Sequence, residues 1–393
     1  MTSILYNKLY CNKNLLIGFD GGNLTSDSDL LLLKEFDHKI GFSEIIQKNF
    51  KHIDGDTNRI YKIADLIIQR IYMSESRYFT DDNSDDLRFD PVFTNILEKK
   101  SLASQPTMSR LKDKLTEETL KIFDNINCEL SDKIYAIQKP EHIILDLDST
   151  NLSTYGSQEG AKYNFYYQKN GYHPLLMYDG ITGDLLKAEL RNGNCYTSSK
   201  VVEFVKPYLQ RQNEKYPKTL KVIRGDSGFA VPGLYELAEE EGNLYIIRLK
   251  LNAVLQRCAK SFADKLLEES RENMIDYRCL YGEFYCNRGN MENFIKECKN
   301  GFCFESMSHK EFVANANKLQ QLMLAYNLNN WFRRLCFPNK FKKMRIETIC
   351  NKLFKVASKV VKSSRNIIFK ICDSFPYKKV FLDILDNIYV LDI

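Results

Sequence analysis

Residues 142–150 have the sequence HIILDLDST. Every second residue from position 143 to 147 is apolar, and the residues that alternate with them include Asp146 and Asp148. A period of two is typical of a β-strand, whose successive side chains point to opposite faces of a sheet. The stretch therefore predicts a strand that buries one face and carries two carboxylates on the other.

Strand and helix patterns alternate on the C-terminal side of this stretch. Strands are predicted at 172–178, 185–190, 220–224 and 244–249, and helices at 198–211 and 232–241. Strands that alternate with helices are typical of a mixed α/β domain with at least some parallel pairing. The predicted fold class of the middle of the chain is therefore α/β with a mixed sheet.

Helical patterns flank this core on both sides. Apolar residues recur at helical spacing at 60–71 and 115–126, and the last ninety residues also favour helices. We therefore predict a helical N-terminal region at 1–138, an α/β core at 139–305 and a helical, basic C-terminal region at 306–393.

The net charge of +5 is distributed unevenly along the chain. Residues 1–150 contain 19 Lys and Arg against 25 Asp and Glu, whereas residues 301–393 contain 16 against 7. A basic end attracts nucleic acid because lysine and arginine neutralise phosphates and release counterions. A solvated surface explains the same charge equally well.

Four lysines of the basic end, Lys352, Lys355, Lys359 and Lys362, recur at the spacing of one helix face. Apolar residues lie on the opposite face of the same predicted helix. Such a stripe is either a solvated surface or a contact with a DNA backbone.

Composition also limits the compartment and the class of protein. The sequence has no run of about 18 apolar residues, and its N-terminus lacks a signal-peptide pattern. Its eleven cysteines form no CxxC pair, which disfavours zinc ribbons and disulfide frameworks. We therefore expect a cytoplasmic protein without a membrane partner.

The segment SQPTMSRL, residues 104–111, contains a second candidate contact with nucleic acid. Pro106 marks a helix start, so Thr107, Ser109 and Arg110 are predicted in the first turns of an exposed helix. This arrangement resembles the recognition element of a helix-turn-helix motif. A capped surface helix with no partner is the alternative.

Three segments place a carboxylate at the end of an apolar element or on a helix. They contain Asp148, then Asp226 in KVIRGDSGFA, and Glu292 in YCNRGNMENFIKECK. Asp226 closes an apolar strand, and side chains converge where such strands end. Capping of the following turn is the alternative role for this aspartate.

The segment around Glu292 is more specific than the other two. Tyr285, Arg288, Glu292, Lys296 and Lys299 follow one another at intervals of 3, 4, 4 and 3 residues. At about 100° per residue they fall in one helical stripe roughly 80° wide. A salt-bridged helix explains the glutamate and the lysines, but not the tyrosine and the arginine before them.

These residues resemble a known family. Tyr285, Arg288, Glu292 and Lys299 match the signature Y-x2-R-x3-E-x6-K of one branch of the DDE transposases of bacterial insertion sequences. The resemblance extends over most of the chain, through DGGNLTSDSDLLLLKE, LRFDPVF, LASQPTMSRL, GYHPLLMYDGITGDLLKAELRNGN, RGDSGFA and MSHKEFVANANKLQQLMLAYNL. It implies an RNase H-like core and a nucleoid-associated enzyme that cleaves and joins DNA.

The resemblance also implies a metal site. Asp148, Asp226 and Glu292 would bind two Mg²⁺ or Mn²⁺ ions, which prefer oxygen ligands and serve in-line attack on phosphorus. Asp146 is the alternative first ligand, because it shares a strand face with Asp148. Asp148 is preferred, since Asp-Ser-Thr matches the D-x-T pattern of the family.

The expected partners are the terminal inverted repeats of a transposon and a target DNA, bound by a homodimer. Arg288 would bind a phosphate with two hydrogen bonds, and Lys296 and Lys299 would hold neighbouring phosphates as point charges. Tyr285 would stack or bond near the cleaved strand. The helical N-terminal region, with its candidate recognition element, is expected to bind DNA.

The chain departs from the family in one region. Only 65 residues separate Asp226 from Glu292, where this branch usually has a β-rich insertion. The only tryptophan, Trp331, lies beyond Glu292, so no indole from the insertion can stack on a flipped base. A catalytically impaired DNA-binding remnant is therefore the alternative function, and a host nuclease with the same fold is a third.

Overall fold

The computed structural model describes residues 7–12, 14–54, 59–250, 252–260, 265, 268 and 289–392. They divide into two compact units. One unit combines the chain up to Leu111 with Phe332–Asp392, and the other spans Lys112–Trp331.

The strands of the described residues are β1 (Asn7–Lys8), β2 (Leu16–Ile17), β3 (Leu24–Thr25), β4 (His142–Ser149), β5 (Leu152–Ser153), β6 (Lys162–Asn164), β7 (Lys169–Tyr172), β8 (Leu175–Asp179), β9 (Leu185–Glu189), β10 (Leu220–Gly225), β11 (Leu244–Ile247), β12 (Ser358–Lys362) and β13 (Ile367–Ile371). Their α-helices are α1 (Leu30–Ile40), α2 (Phe42–Phe50), α3 (Ile63–Glu75), α4 (Asn83–Asp86), α5 (Pro91–Ile96), α6 (Gln105–Ser109), α7 (Glu117–Ile137), α8 (Val201–Lys215), α9 (Pro232–Glu240), α10 (Gly289–Phe302), α11 (Phe312–Cys336), α12 (Asn339–Lys342), α13 (Ile346–Ile349) and α14 (Lys378–Tyr389).

The Lys112–Trp331 unit contains a five-stranded sheet in the order β11-β10-β4-β8-β9. Strands β10 and β11 run parallel to β4, whereas β8 pairs with β4, and β9 with β8, in the antiparallel direction. Parallel neighbours need a crossover, which α8 and α9 provide. The predicted mixed α/β class is confirmed.

The predicted strands match the observed ones, with one difference. The predicted strand at 172–178 is two strands, because β7 ends at Tyr172 and β8 begins at Leu175. Pro174 separates them and has no N–H to donate to a ladder. β7 belongs instead to a small antiparallel sheet in the order β5-β7-β6.

Strand β4 is the centre of the large sheet, and its two faces differ. Leu145 and Leu147 pack on one face in a core that includes Phe204 of α8 and Leu234 of α9. Asp146 lies on the opposite face and is also fully buried. The alternation in HIILDLDST therefore separates an apolar face covered by α8 and α9 from an acidic face.

The edge strand β9 is covered by side chains of α11 rather than by another strand. Asn327 of α11 accepts a hydrogen bond from the Leu185 N–H at 2.8 Å and donates one to its carbonyl at 2.8 Å. Gln320, two turns earlier, donates to the carbonyl of Ala188 at 2.7 Å. These amides occupy backbone groups that would otherwise template another strand.

The other unit is mainly helical, but its C-terminal segment contains strands. β12 pairs antiparallel with β13 and with β3. The predicted helix face of four lysines is therefore wrong. Lys352 lies in a π-helical turn, Lys355 binds Asp27 at 2.6 Å, and Lys359 and Lys362 lie on β12.

None of the helices in the described ranges has the length and apolar character that a membrane span requires.

Candidate active site

Two aspartates lie level with each other at the carboxyl ends of neighbouring strands. In the parallel ladder of β4 and β10, Asp146 is the partner of Arg224. Two residues further along both strands, the same register places Asp148 beside Asp226, which directly follows β10. Neighbouring strands are about 4.8 Å apart, so the two carboxylates share one edge of the sheet.

Both carboxylates are oriented by backbone N–H groups. Oδ1 of Asp148 accepts a hydrogen bond from the N–H of Ser149 at 2.8 Å. Oδ1 of Asp226 accepts one from the N–H of Gly228 at 2.8 Å, and so caps the 3-10 turn Ser227–Phe229. The capping role considered for Asp226 is therefore present, and it holds the side chain at the edge of the sheet.

The pKa of Tyr167 is affected by the negative charge of this edge. Its hydroxyl donates a hydrogen bond to the carbonyl of Ser149 at 3.1 Å. Burial, followed by the charges of Asp148 and Asp226, raises the pKa of Tyr167 to about 12. The hydroxyl of Tyr167 therefore lies within electrostatic range of both aspartates.

Asp146, the alternative first ligand, has a different environment. Its Oδ2 lies 2.6 Å from Nη2 of Arg224, and both side chains are fully buried. Gly180 makes room for the arginine, because a Cβ at this position would lie 2.3 Å from the guanidinium. Asp146 is thus neutralised inside the protein, whereas Asp148 is half-buried at the strand end.

Glu292 lies on α10, which packs on the acidic face of the sheet. Phe294 and Cys298 of this helix contact Tyr178 of β8, with ring centroids 5.9 Å apart and a 3.1 Å contact from the thiol to the hydroxyl. Tyr178 is directly opposite Asp146 in the ladder of β4 and β8, so it shares the acidic face. The carboxylate of Glu292 is exposed to solvent.

The two lysines of the predicted stripe differ in their contacts. Nζ of Lys299 donates to the carbonyl of Asn151 at 2.7 Å and lies 3.1 Å from Glu305. Asn151 is three residues beyond Asp148, so this bond ties α10 to the end of β4. Lys296, one turn earlier, is exposed.

The three predicted ligands differ in how closely they approach one another. Asp148 and Asp226 each lie two residues beyond the last paired residues of β4 and β10, and Glu292 lies on a helix that contacts the same face of the sheet. In the described parts of the chain, no group of three or more His, Cys, Asp or Glu side chains is close enough to hold a metal ion. The donor chemistry nevertheless fits a hard cation, because every predicted ligand is a carboxylate oxygen.

Some predicted residues fall outside the described parts of the chain. Tyr285 and Arg288 belong to this group, as does most of the segment 251–288, where the shortened insertion is predicted. α10 begins at Gly289 and includes Glu292.

The candidate recognition element is shorter than predicted. α6 covers only Gln105–Ser109, and Arg110 begins a 3-10 turn. Ser109 donates to Asp81 at 3.1 Å, while Thr107 shares a 3.1 Å hydrogen bond with Ser104. Arg110 is exposed. The predicted helix start at Pro106 is confirmed, but the prediction that Arg110 lies in the same exposed α-helix is wrong, since that helix ends after five residues.

Comparison with protein families identifies the chain. The family described as Transposase DDE domain group 1 matches residues 7–278 and 273–393. The protein belongs to this family. The resemblance to DDE transposases is thus confirmed.

The chain was also compared with curated proteins and with solved structures. No curated protein matches the transposase. The piggyBac transposase synaptic complex with hairpin DNA is 15% identical over 84% of this chain and 80% of that one, with a TM-score of 0.41. The catalytic domain of Mos1 mariner transposase is 12% identical over 55% of this chain and 96% of that one, with a TM-score of 0.22. The Mos1 paired end complex with Mn is 13% identical over 71% and 79%, with a TM-score of 0.21. These values are too low to define residue correspondences.

Three residues that neighbour the predicted ligands in the structure were not predicted from the sequence. Tyr167, Thr197 and Arg224 are separated from their partners by long stretches of chain. Thr197 bonds Ser149 at 3.4 Å between their hydroxyls, and its methyl is 3.1 Å from the Cβ position of Gly228. Only Arg224 could have been identified from the sequence, because an arginine in a mostly apolar strand is expected to pair with a buried carboxylate.

Proposed function

We propose that this DNA transposase binds the terminal repeats of an insertion sequence and catalyses metal-dependent strand cleavage and strand transfer. The proposal includes the branch with the Y-x2-R-x3-E-x6-K signature. The observation that carries it is the alignment of Asp148 with Asp226 at the carboxyl ends of parallel strands in a DDE transposase.

The proposed core is RNase H-like with a shortened insertion. The strand order β11-β10-β4-β8-β9 supports it, because three antiparallel strands come first in the chain and two parallel strands follow. The helix with Glu292 comes after the last strand, on the acidic face. In this arrangement the three carboxylates approach from separate segments of the chain.

Asp148 and Asp226 are proposed as ligands of two Mg²⁺ or Mn²⁺ ions, and Glu292 as the third carboxylate. Two such ions would activate the attacking water or 3′-hydroxyl and stabilise the leaving oxygen. Two aspartates on neighbouring strands repel each other, so a bound cation would offset that repulsion. The hydrogen bonds from Ser149 and Gly228 hold the carboxylates in place for this role.

DNA contacts are proposed for both flanking regions and for α10. Lys296 is exposed on the same helix as Glu292 and is suited to a phosphate, as is Arg288 before it. Tyr285 is proposed to stack or bond near the cleaved strand. Lys299 is proposed to bind a phosphate while its bond to Asn151 positions α10. Thr107, Ser109 and Arg110 remain candidate DNA contacts, and the active form is proposed to be a homodimer.

The test uses the full chain with a labelled duplex that carries the inverted repeat flanking its gene. Products are resolved as nicked, hairpin and fully cut DNA in Mg²⁺ and in Mn²⁺. Metal-dependent nicking is expected to exceed double-strand excision, because nicking needs only the carboxylates and one positioned phosphate. Glu292→Gln should abolish nicking but retain binding, and Glu297→Gln on the same helix is the matched control.

The alternative function has a distinct outcome. Specific binding of the repeat without nicking in either metal would identify a DNA-binding remnant. Efficient double-strand excision would show that the shortened insertion is dispensable. Isothermal titration with Mn²⁺ separates metal binding from turnover, since Asp226→Asn should lose the metal signal even if the wild-type protein turns over slowly.

A further inference from the structure

The hairpin between β6 and β7 presents a cluster of aromatic rings to solvent. Phe165 and Tyr166 are each 86% exposed, and Tyr163 is 44% exposed. We call these three residues the aromatic turn. Contiguous exposed apolar surface of this kind marks a binding site, because leaving large rings in water costs free energy without any benefit to the fold.

The aromatic turn is held in one conformation by a buried side chain. Oδ1 of Asn164 accepts hydrogen bonds from the N–H groups of Tyr166 and Tyr167 at 3.0 and 3.2 Å, and its Nδ2 donates to the carbonyl of Gly193 at 2.8 Å. The rings of Tyr163 and Phe165 meet edge to face at 5.2 Å. Because these bonds hold the backbone of the turn before any ligand arrives, binding needs less ordering of the chain than in a free loop.

The aromatic turn lies next to the candidate active site. Tyr166 contacts the ring of Tyr167 at 4.9 Å between centroids, and Tyr167 bonds the carbonyl of Ser149 at 3.1 Å. Ser149 is the residue after Asp148. One ring contact and one hydrogen bond therefore connect the exposed rings to the first aspartate.

The hairpin that carries the aromatic turn has positively charged side chains of its own. Residues 161–170 contain Lys162 and Lys169 and no acidic residue. Both lysines are exposed, one on each strand of the hairpin. Exposed rings between ammonium groups are the combination that binds single-stranded nucleic acid, because bases stack on the rings while lysines neutralise the backbone.

We propose that the aromatic turn is a stacking platform for unpaired bases of the DNA strand whose phosphate lies at Asp148 and Asp226. This inference rests on the proposed function and names the strand form that the site takes. The platform lies between the first and second aspartates, whereas the sequence suggested that any such platform would come from the insertion after Asp226. A chain with a short insertion can therefore still hold an opened DNA end.

The test compares two duplexes, one blunt and one with a four-nucleotide single-stranded tail that contains 2-aminopurine. Stacking quenches 2-aminopurine fluorescence, so it reports contact with a ring rather than binding alone. The double variant Phe165→Ala/Tyr166→Ala should lose the quenching and bind the tailed duplex roughly 10-fold or more weakly. Its affinity for the blunt duplex should not change.

Two controls isolate the rings. Phe89→Ala removes a ring that is 73% exposed in the other unit, and it should behave as the wild type. Phe165→Trp/Tyr166→Trp keeps the stacking surface and should retain the quenching. Both substituted side chains are exposed, so thermal unfolding of the alanine variant should match the wild type.

Unchanged quenching and affinity in the alanine variant would overturn the proposal, as would a wild-type protein that binds both duplexes alike. A change of oligomeric state in the variant, with DNA binding intact, would also overturn it and make the turn a protein contact. Metal-dependent nicking by the wild type is scored separately. The proposed function stands if nicking occurs, whatever the aromatic turn does.

Discussion

Strands β4 and β10 carry two successive rows of charged side chains on one face, and the rows have opposite character. In the first row Asp146 meets Arg224, and the pair is fully buried. In the second row Asp148 lies level with Asp226, and like charges meet at a half-buried edge. The same residue type is thus structural at one position and available for chemistry two residues later.

The difference teaches what decides the role of a carboxylate. The first row is neutral as folded and needs nothing from solution. The second row offers carboxylate oxygens, which a divalent cation prefers as ligands. The cross-strand neighbour is an arginine in the first row and an aspartate in the second. This difference distinguishes the two rows more clearly than their burial does.

The largest expected effect tests the second row. Asp148→Asn should reduce metal-dependent nicking by about 10³-fold or more, because it removes a ligand charge and leaves the fold intact. Asp226→Asn should behave in the same way. Nicking by folded protein is measured at a temperature well below unfolding.

The double variant Asp146→Leu/Arg224→Met is the matched control for the first row, and it should retain nicking. If this variant is inactive while Asp148→Asn nicks normally, the assignment of the two rows is reversed.

The second prediction tests the first row by stability. Asp146→Asn leaves a buried guanidinium without its charge partner, which should cost about 3–5 kcal/mol of unfolding free energy. Replacing both partners with apolar residues of similar volume should cost much less than the single change. Urea unfolding measures both, and equal losses for the single and double variants would contradict a buried pair.

A third prediction concerns Asp29, a buried residue of the other unit. Among the described residues, neither oxygen of its carboxyl has a hydrogen-bond partner. Burial, followed by the charge of Asp27, raises the pKa of Asp29 well above its usual range. The native state therefore binds a proton more tightly than the unfolded state, and stability falls as pH rises from the unfolded to the native pKa. Asp29→Asn should remove this loss and stabilise the protein by roughly 1 kcal/mol at pH 8.

The measurement is the thermal midpoint at pH 5 and pH 8, where Asp29→Asn should gain more at the higher pH. Asp37→Asn is the control, because Asp37 accepts hydrogen bonds from the Ser43 N–H at 2.7 Å and the Tyr72 hydroxyl at 2.7 Å. That substitution should destabilise the protein. A pH-independent gain for Asp29→Asn would refute the titration.

The smallest expected effect concerns DNA contacts beside the second row. Lys296→Ala should reduce the slope of log affinity against log salt by roughly one, the value for one phosphate contact. Lys206→Ala on α8 is the control, because α8 covers the opposite face of the sheet. Identical slopes for both variants would show that Lys296 is a solvated surface residue without a phosphate contact.

The sequence predicted the sheet and the two aspartates because their signals are local. Alternation in β4 and the apolar run of β10 fix the strands, and parallel pairing brings their ends together. The role of Arg224 could not be read in this way, since its partner lies 78 residues earlier. A long-range pair leaves no periodic pattern.

Two predicted elements failed for identifiable reasons. The segment KVASKVVK, residues 355–362, suggested a helix because Val356 and Val360 are four apart, whereas in β12 residues 358–360 alternate between buried and exposed, as in a strand. The pairing of β12 with β3 and β13 stabilises the strand over the helix. The aromatic turn was not predicted either, because exposure of a ring is a tertiary property and most aromatic residues are buried.

The 78 residues between Asp146 and Arg224 also set an order of events during protein synthesis. At about 5–20 residues per second, the ribosome needs roughly 4–16 s to add Arg224 after Asp146. In that interval β4 can pair with β8, and β8 with β9, while the other edge of β4 remains unpaired until β10 is made. Asp146 and Asp148 then place charges on a temporary edge strand, which discourages pairing with neighbouring nascent chains. Of these two charges, one is later neutralised by Arg224, and the other is left for the proposed chemistry.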